Sequence, residues 1–375
     1  MKITVLGLTV TSSWGNGHAT TFRSLFRALH ARGHEVVFLE KDVEWYRNNR
    51  DLPGPPYCRV LYYEDWKRQG RSLALRHGRE SDVIVIGSYF PDAVPAAYAL
   101  LNHTDVPLVF YDIDTPVTIA QLRAAGRTDY LIAGLVPHYA AYLSFTSGPV
   151  LKELEQRFGS PYAVPFYCSV DPLQHSRATA RDEFKCELSY LGTYAADRQS
   201  KLQELLMKPA AHLPDKKFLV AGPMYPPEIA WEKNIKRIIH VPPRDHAALY
   251  SSSRFTLNLT RADMVEAGYS PSVRLFEAAA CGSTIISDYW EGIEMFLHPG
   301  KEVLIAHSAE EVLAILSAMP DGAIQRIGEQ ARERILSVHT SEHRAEEFEA
   351  VVERIYSRKG RTIAQHADRA ALALS

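Results

Sequence analysis

Apolar residues in this chain gather into short β-branched runs, separated by longer stretches in which they recur every three or four positions. ITVLGLTV comes first, followed by EVVFLE, VIVIGS, PLVFYD and YLIAG, with amphipathic segments over Thr20–Ala31 and near Ala93–Leu101. Continuous apolar runs between helices predict a parallel sheet covered on both faces. YLSFTS and a helix over about Pro149–Phe158 complete this first unit. Residues 159–172, GSPYAVPFYCSVDP, hold three prolines and a glycine and little periodicity, the composition of a hinge. The alternation then restarts with ELSYLG, a helix over Arg198–Met207, KFLVAG, RIIHV, a helix near Asp245–Ser251, RFTLNLT, a helix after Tyr269 and STIISD. EHRAEEFEAVVERIYSRK, residues 342–359, predicts a long charged helix with Phe348, Val351, Val352 and Ile355 on its apolar side. Residues from about 360 to 375 read as a loose tail.

A length of 375 residues exceeds what one core organises. Two α/β domains are expected, over 1–165 and 173–338. With 42 basic against 44 acidic residues there is no positive field to argue for nucleic acid or an anionic membrane. No apolar run approaches the roughly 18 residues that span a bilayer. MKITVLGLTV leads into a glycine-rich loop instead of a cleavage site, so it is read as a strand and the protein as cytoplasmic. Cys58, Cys168, Cys186 and Cys281 are scattered without metal spacing, which suits reduced thiols.

The segment Tyr269–Asp288, YSPSVRLFEAAACGSTIISD, carries the densest chemistry. Ser270 and Pro271 predict a capped helix start and Gly282 its end. At about 100° per residue, Ser270, Arg274, Glu277 and Cys281 share one face, while Val273, Phe276 and Ala280 share another. Free N–H groups from Ser270 through Ser272 to Val273, with the Arg274 guanidinium, suit a diphosphate. Glu277 can accept from ribose hydroxyls. The pattern describes a nucleotide-sugar site.

This run resembles the donor segment of glycosyltransferases with the two-domain GT-B architecture, in particular the CgeB-type spore-maturation group. The resemblance extends through SSWGNGHATTFRSLFRALHARGHEVVFLE, YDIDTPVT, YLSFTSGPVLKELE and YLGTYAADRQ. It implies two Rossmann-like parallel-sheet domains facing across a cleft. It also implies a helix over 340–358 returning to the first domain, a ribose contact at Glu277, and donor-phosphate contacts from Thr193 and Arg198, or Lys201, in GTYAADRQSK. Asn16, Gly17 and His18 would line the cleft with Gly15, and backbone near His240 and Val241 would read the base. The related retaining family carries a glutamate eight residues before Glu277; here that position is Tyr269, so the contact it makes to the donor sugar does not transfer.

Gly15 and Gly17 after the first strand permit close backbone approach. The third glycine of a dinucleotide fingerprint is Thr20 instead, leaving Glu40 as the one feature favouring NAD. His18, at a helix start, is favoured neutral. Asp112 and Asp114 lie at a strand's carboxyl end, where α/β sheets present ligand groups. The pair also looks like the metal-binding Asp-x-Asp of the other major glycosyltransferase architecture, GT-A, which leaves Mg²⁺ or Mn²⁺ as an alternative to a cofactor-free site. Acceptor binding or base catalysis by Asp112, Asp114 and His18 is the reading preferred, with a helix cap at Asp114 as a third. Glu291 and Glu294 could touch sugar hydroxyls or complement a helix dipole.

The function expected is transfer of a sugar from a nucleoside diphosphate sugar, with UDP as the nucleotide, to a hydroxyl acceptor with retention. A nucleotide-sugar epimerase of the same fold and a non-catalytic spore-coat or polysaccharide-associated binding protein are the alternatives.

Overall fold

A computed structural model describes residues 1–15, 17–358 and 360. Asn16 and, apart from residue 360, the expected tail lie outside the described residues. The chain divides into two compact units. One comprises Met1–Ser13, His18–Tyr167 and the chain from Ser341; the other comprises Trp14–Gly17 and Cys168–Thr340.

The first unit is built on a parallel sheet of β1 (Lys2–Leu6), β2 (Glu35–Lys41), β3 (Arg59–Tyr63), β4 (Val83–Gly87), β5 (Leu108–Asp112), β6 (Ala141–Ser144) and β7 (Ala163–Pro165). Its spatial order is β3-β2-β1-β4-β5-β6-β7. Every residue of β4 and β5 is buried, as unbroken apolar runs require. The order reverses direction between β1 and β4, the point where such sheets open a crevice at their carboxyl ends.

Helix His18–Ala31 buries Phe22, Leu25, Phe26 and Leu29, the i, i+3, i+4, i+7 set of one face. Phe22 meets Phe38 at 5.3 Å and Tyr111 at 6.0 Å between ring centroids. Helix Ser341–Arg358 packs against this same helix within the unit, burying Phe348, Val351, Val352 and Ile355. At about 1.5–3 kcal/mol for each fully buried apolar side chain, that face is a substantial part of the unit's core. Arg32 clasps Glu349 with both Nε and Nη2, and Tyr356 Oη donates to the Asp82 carbonyl.

Residues 159–172, read as a hinge, hold strand β7 at the sheet's edge, and two further departures lie elsewhere in the unit. YLIAG is no strand, because Ala133–His138 forms a short 3₁₀ turn, and RVLYY, not anticipated, supplies β3.

The second unit repeats the plan with β8 (Cys186–Leu191), β9 (Phe218–Ala221), β10 (Ile235–Ile238), β11 (Ser253–Asn258), β12 (Thr284–Ser287) and β13 (Leu304–Ile305). The order β10-β9-β8-β11-β12-β13 places its reversal between β8 and β11. Leu188, Tyr190, Leu206, Phe218, Phe255, Leu257 and Ile286 form its centre. Gly222, φ 144°, ends β9, and a Cβ there would lie 2.0 Å from the Gly192 carbonyl oxygen. The two chain segments can approach this closely only because residue 222 has no side chain.

Candidate functional site

In the second unit the helix thought to begin at Ser270 begins at Val273 and ends at Ala280. Ser272 is its N-cap, and Pro271 precedes the cap instead of opening the first turn. Ser272 Oγ donates to Asn258 Oδ1 at 2.6 Å and makes no bond to the helix N–H groups. The run Ser-Pro-Ser offers two start signals, and tertiary pairing with β11 selects the second. Gly282, φ 73°, closes the helix with bonds from Gly282 N to Ala279 O and Ser283 N to Ala278 O, as expected. Arg274 through Ala280 are all buried, so the polar face is turned into the unit's own interior at the sheet's carboxyl edge.

Arg274 spans the switch point. Its Nε donates to the Leu191 carbonyl at the end of β8, and Nη1 donates to Asn258 Oδ1 at the end of β11 at 3.1 Å. The guanidinium lies 4.7 Å from the centre of the Tyr190 ring. Arg198, in helix Ala196–Leu202, donates Nη2 to the Thr193 carbonyl at 2.7 Å, and its Nε is buried without a partner. Burial first, and then the charge of Arg274, hold the Arg198 guanidinium below its ordinary basicity, against opposing effects from Tyr190, Tyr225 and Asp197. Among the described residues neither arginine forms an ion pair.

A third guanidinium, Arg237, is stacked on Tyr225 at 4.1 Å and Trp231 at 4.3 Å. It donates to the carbonyls of Val220 and Gly222. Positive charge desolvated by burial and unmatched by carboxylate is the electrostatic condition for holding an anion. Lys201 is different, because it is paired with the buried Asp288.

Glu277 is 5% exposed. Its Oε1 lies 3.5 Å from His175 Nε2 and its Oε2 lies 3.6 Å from His246 Nδ1; Tyr250 Oη donates to Oε2 at 3.3 Å. Burial alone would raise its pKa, but the charge of His175 and the hydrogen bond and charge of His246, with Tyr250, bring the carboxyl down to about 2. The acid is therefore ionised at neutral pH. Among the described residues, His175, His246 and Glu277 are the cluster that could hold a metal ion, offering three ligand atoms within 4.8 Å of one another. Sequence reasoning missed both histidines. His246 could have been found, since it falls one helical turn before Tyr250 in HVPPRDHAALY, whereas His175 is brought in by a loop 102 residues upstream of Glu277.

In the first unit the switch point gathers His18, Tyr89, Asp112 and Asp114. Asp112 is wholly buried and accepts from Tyr142 Oη at 2.5 Å, Thr118 Oγ1 at 2.9 Å and Asp114 N at 3.2 Å. Burial outweighs these bonds and pushes its carboxyl up to about 7. Asp114 opens helix Thr115–Ala125 without a side-chain cap and accepts from Tyr89 Oη at 2.8 Å. Tyr89 holds φ 61°, a conformation rare outside glycine, and its ring stands edge-on to His18 at 5.2 Å. His18 Nδ1 is covered and unpartnered, and burial takes the imidazole down to about 4. Tyr89 was missed, although it follows VIVIGS at the end of β4, where the strand-end rule points.

Glu40 does not present itself to a ribose. It is buried and accepts from Val10 N at 2.8 Å and Thr11 Oγ1 at 2.5 Å, so it fastens the loop after β1 and the NAD reading loses its one supporting feature. Gly15 needs its glycine for φ 69°, whereas a Cβ at either Gly15 or Gly17 would meet open space. His240 and Val241 follow β10, the first half-buried and the second buried. Glu291 accepts from Tyr269 Oη at 3.0 Å, and Tyr269, at φ 50°, packs against Gly292.

Comparison with known proteins bears on this arrangement. Residues 198–350 match the family described as Glycosyl transferase-like. Sucrose-phosphate synthase from Thermosynechococcus elongatus aligns over 96% of this chain and 100% of its own, with 13% identity and a TM-score of 0.68. This is the GT-B fold. Anabaena HepE in complex with UDP and glucose matches at 12% identity and TM-score 0.67, over 94% of this chain and 99% of that one. An alpha-glucosyltransferase in complex with UDP-glucose and DNA containing an abasic site matches at 13% and 0.68, over 94% and 99%. A search of the curated proteins returns no match. The GT-B sheets expected from the sequence are present in both units, and the glycosyltransferase-like segment contains Arg198, Arg274 and Glu277. No helix among the described residues is long and apolar enough to cross a membrane.

Proposed function

We propose that this GT-B glycosyltransferase moves a sugar from a nucleoside diphosphate sugar, a UDP sugar, to a hydroxyl-bearing acceptor with retention. One observation carries the reading: two guanidinium groups, the half-buried Arg198 and the buried Arg274, lie beside a helix start at the switch point of the second sheet and, among the described residues, form no ion pair with a carboxylate. A diphosphate leaving group would develop its charge beside these groups, and preorganised charge is usually the largest single source of rate enhancement. Glu277, held ionised, offers acceptors to the ribose. Uridine as the nucleoside is supported by the UDP named with HepE and the alpha-glucosyltransferase.

His18 and Asp114 are assigned to the acceptor. His18, uncharged above about pH 4, can take or share a proton, and Asp114 can orient a hydroxyl. Asp112 is assigned instead to fixing the strand end, because all its neighbours are internal donors. Retention rests on the CgeB-type resemblance and on kinship with the retaining family. The near-balance of basic and acidic residues speaks for a small or carbohydrate acceptor over nucleic acid. Four cysteines that form no disulfide among the described residues accord with a cytoplasmic site of action.

Calorimetry with UDP, GDP and dTDP tests the donor, with micromolar binding of UDP expected. Binding of none of the three would refute the transferase reading. Nuclear magnetic resonance of the product's anomeric centre decides retention, and conversion of the donor sugar without acceptor would assign an epimerase.

A further inference from the structure

His246 occupies the second unit between two hydrogen-bond acceptors. Its Nε2 lies 3.2 Å from the Val241 carbonyl oxygen, and its buried Nδ1 lies 3.6 Å from Glu277 Oε2. A neutral imidazole carries one proton, so either tautomer would turn a lone pair toward one of these oxygens; only the doubly protonated ring donates at both ends. Val241 belongs to the short loop Ile239–Pro242 that joins β10 to helix Pro243–Ser252, while Glu277 sits mid-helix on the other side of the imidazole. Pro242 at the end of the loop and Pro243 at the start of the helix stiffen the junction and offer no N–H of their own, so the imidazole is a polar tie between the loop and the acid.

We infer that His246 is a positioning residue that couples the loop reading the base to the carboxylate reading the ribose, so that the two halves of a nucleoside are recognised together. The inference rests on the reading of Glu277 as ribose ligand and adds to it a residue that contacts no ligand atom. His175 supports the other carboxylate oxygen. His246 reaches both sides.

Two substitutions separate the two contacts, the hydrogen bond to the Val241 carbonyl and the 3.6 Å charged contact to Glu277. His246→Asn keeps a donor at the place of Nδ1 and gives up the contact to Val241, whereas His246→Gln keeps a donor at the place of Nε2 and gives up the contact to Glu277. The probes are UDP, 2′,3′-dideoxy-UDP and inorganic pyrophosphate, titrated calorimetrically into the full chain. Wild type is expected to favour UDP over the dideoxy analogue by about tenfold or more, the Asn variant to keep that preference, and the Gln variant to lose it to within about twofold. Pyrophosphate, which engages neither bond, should bind all three proteins alike. A Gln variant with wild-type preference, or Asn and Gln variants that behave identically, overturns the inference. Equal loss of pyrophosphate binding in both variants assigns His246 a merely structural role and overturns it too. A wild-type protein that does not distinguish UDP from its dideoxy analogue refutes the ribose reading of Glu277 itself, a separate failure visible before any variant is made.

Discussion

The two sheets share one order over six strands and one reversal point, yet their carboxyl edges carry opposite chemistry. At the first, Asp112 and Asp114 stand among the hydroxyls of Tyr89, Tyr130 and Tyr142 beside an imidazole held neutral. At the second, Arg198, Arg274 and Arg237 crowd around Tyr190 and Tyr225, and the nearby acid is tied to two histidines. The topology fixes where a ligand is offered; the side chains at the strand ends decide whether it is an anion or a hydroxyl.

The contrast breaks most sharply at the arginines. The double variant Arg198→Ala, Arg274→Ala should lose about 100- to 1000-fold in UDP affinity, read by calorimetry, because charge-assisted bonds to phosphate are the strong ones. Arg274→Ala alone should also lower thermal stability by about 1–3 kcal/mol, since it removes the guanidinium donor to Leu191 O and leaves Asn258 Oδ1 with Ser272 Oγ as its remaining donor. On the first sheet, His18→Phe should cut turnover by about 10- to 100-fold with donor affinity unchanged. Equal effects on both parameters would erase the division of labour between the edges.

Glu277→Gln is smaller, about tenfold in UDP affinity with pyrophosphate binding intact. Asp112 gives a test by pH. Its carboxyl titrates near 7 in the folded protein against an ordinary value of 3.8, so between about pH 4 and 7 the folded state binds the extra proton and stability falls as pH rises. Asp112→Asn should remove that slope, on the order of 2–4 kcal/mol, as measured by urea unfolding at pH 4 and pH 7.5. The least effect is expected of chelation: activity should persist in EDTA, and a loss restored by Zn²⁺ or Mn²⁺ would reassign the His175, His246 and Glu277 cluster.

Much of the fold was legible because buried parallel strands must be apolar on both faces, and VIVIG, LVFYD and TIIS are. Strand β3 was not, since RVLYY lies at the sheet's edge and keeps charged and polar positions exposed, while YLIAG has strand composition but curls into a turn. At the candidate site part of the local signal was readable, Arg274 and Glu277 one turn apart and a glycine stop, whereas the serine-proline pair placed the helix start too early, at Ser270 instead of Val273. What surrounds them was not. The partners of Glu277 come from 31 and 102 residues earlier in the chain, and the mutual repulsion of Arg198 and Arg274 arises from the meeting of separate strand ends, which no periodicity records.

Because helix Ser341–Arg358 completes the first unit, that unit is assembled from segments that lie on either side of the second in the chain. As the chain emerges from the ribosome, Cys168–Thr340 is available in full while Leu25 and Leu29 still wait for Phe348 to cover them. The apolar core of the first unit is thus closed only by a helix made after every residue of the second.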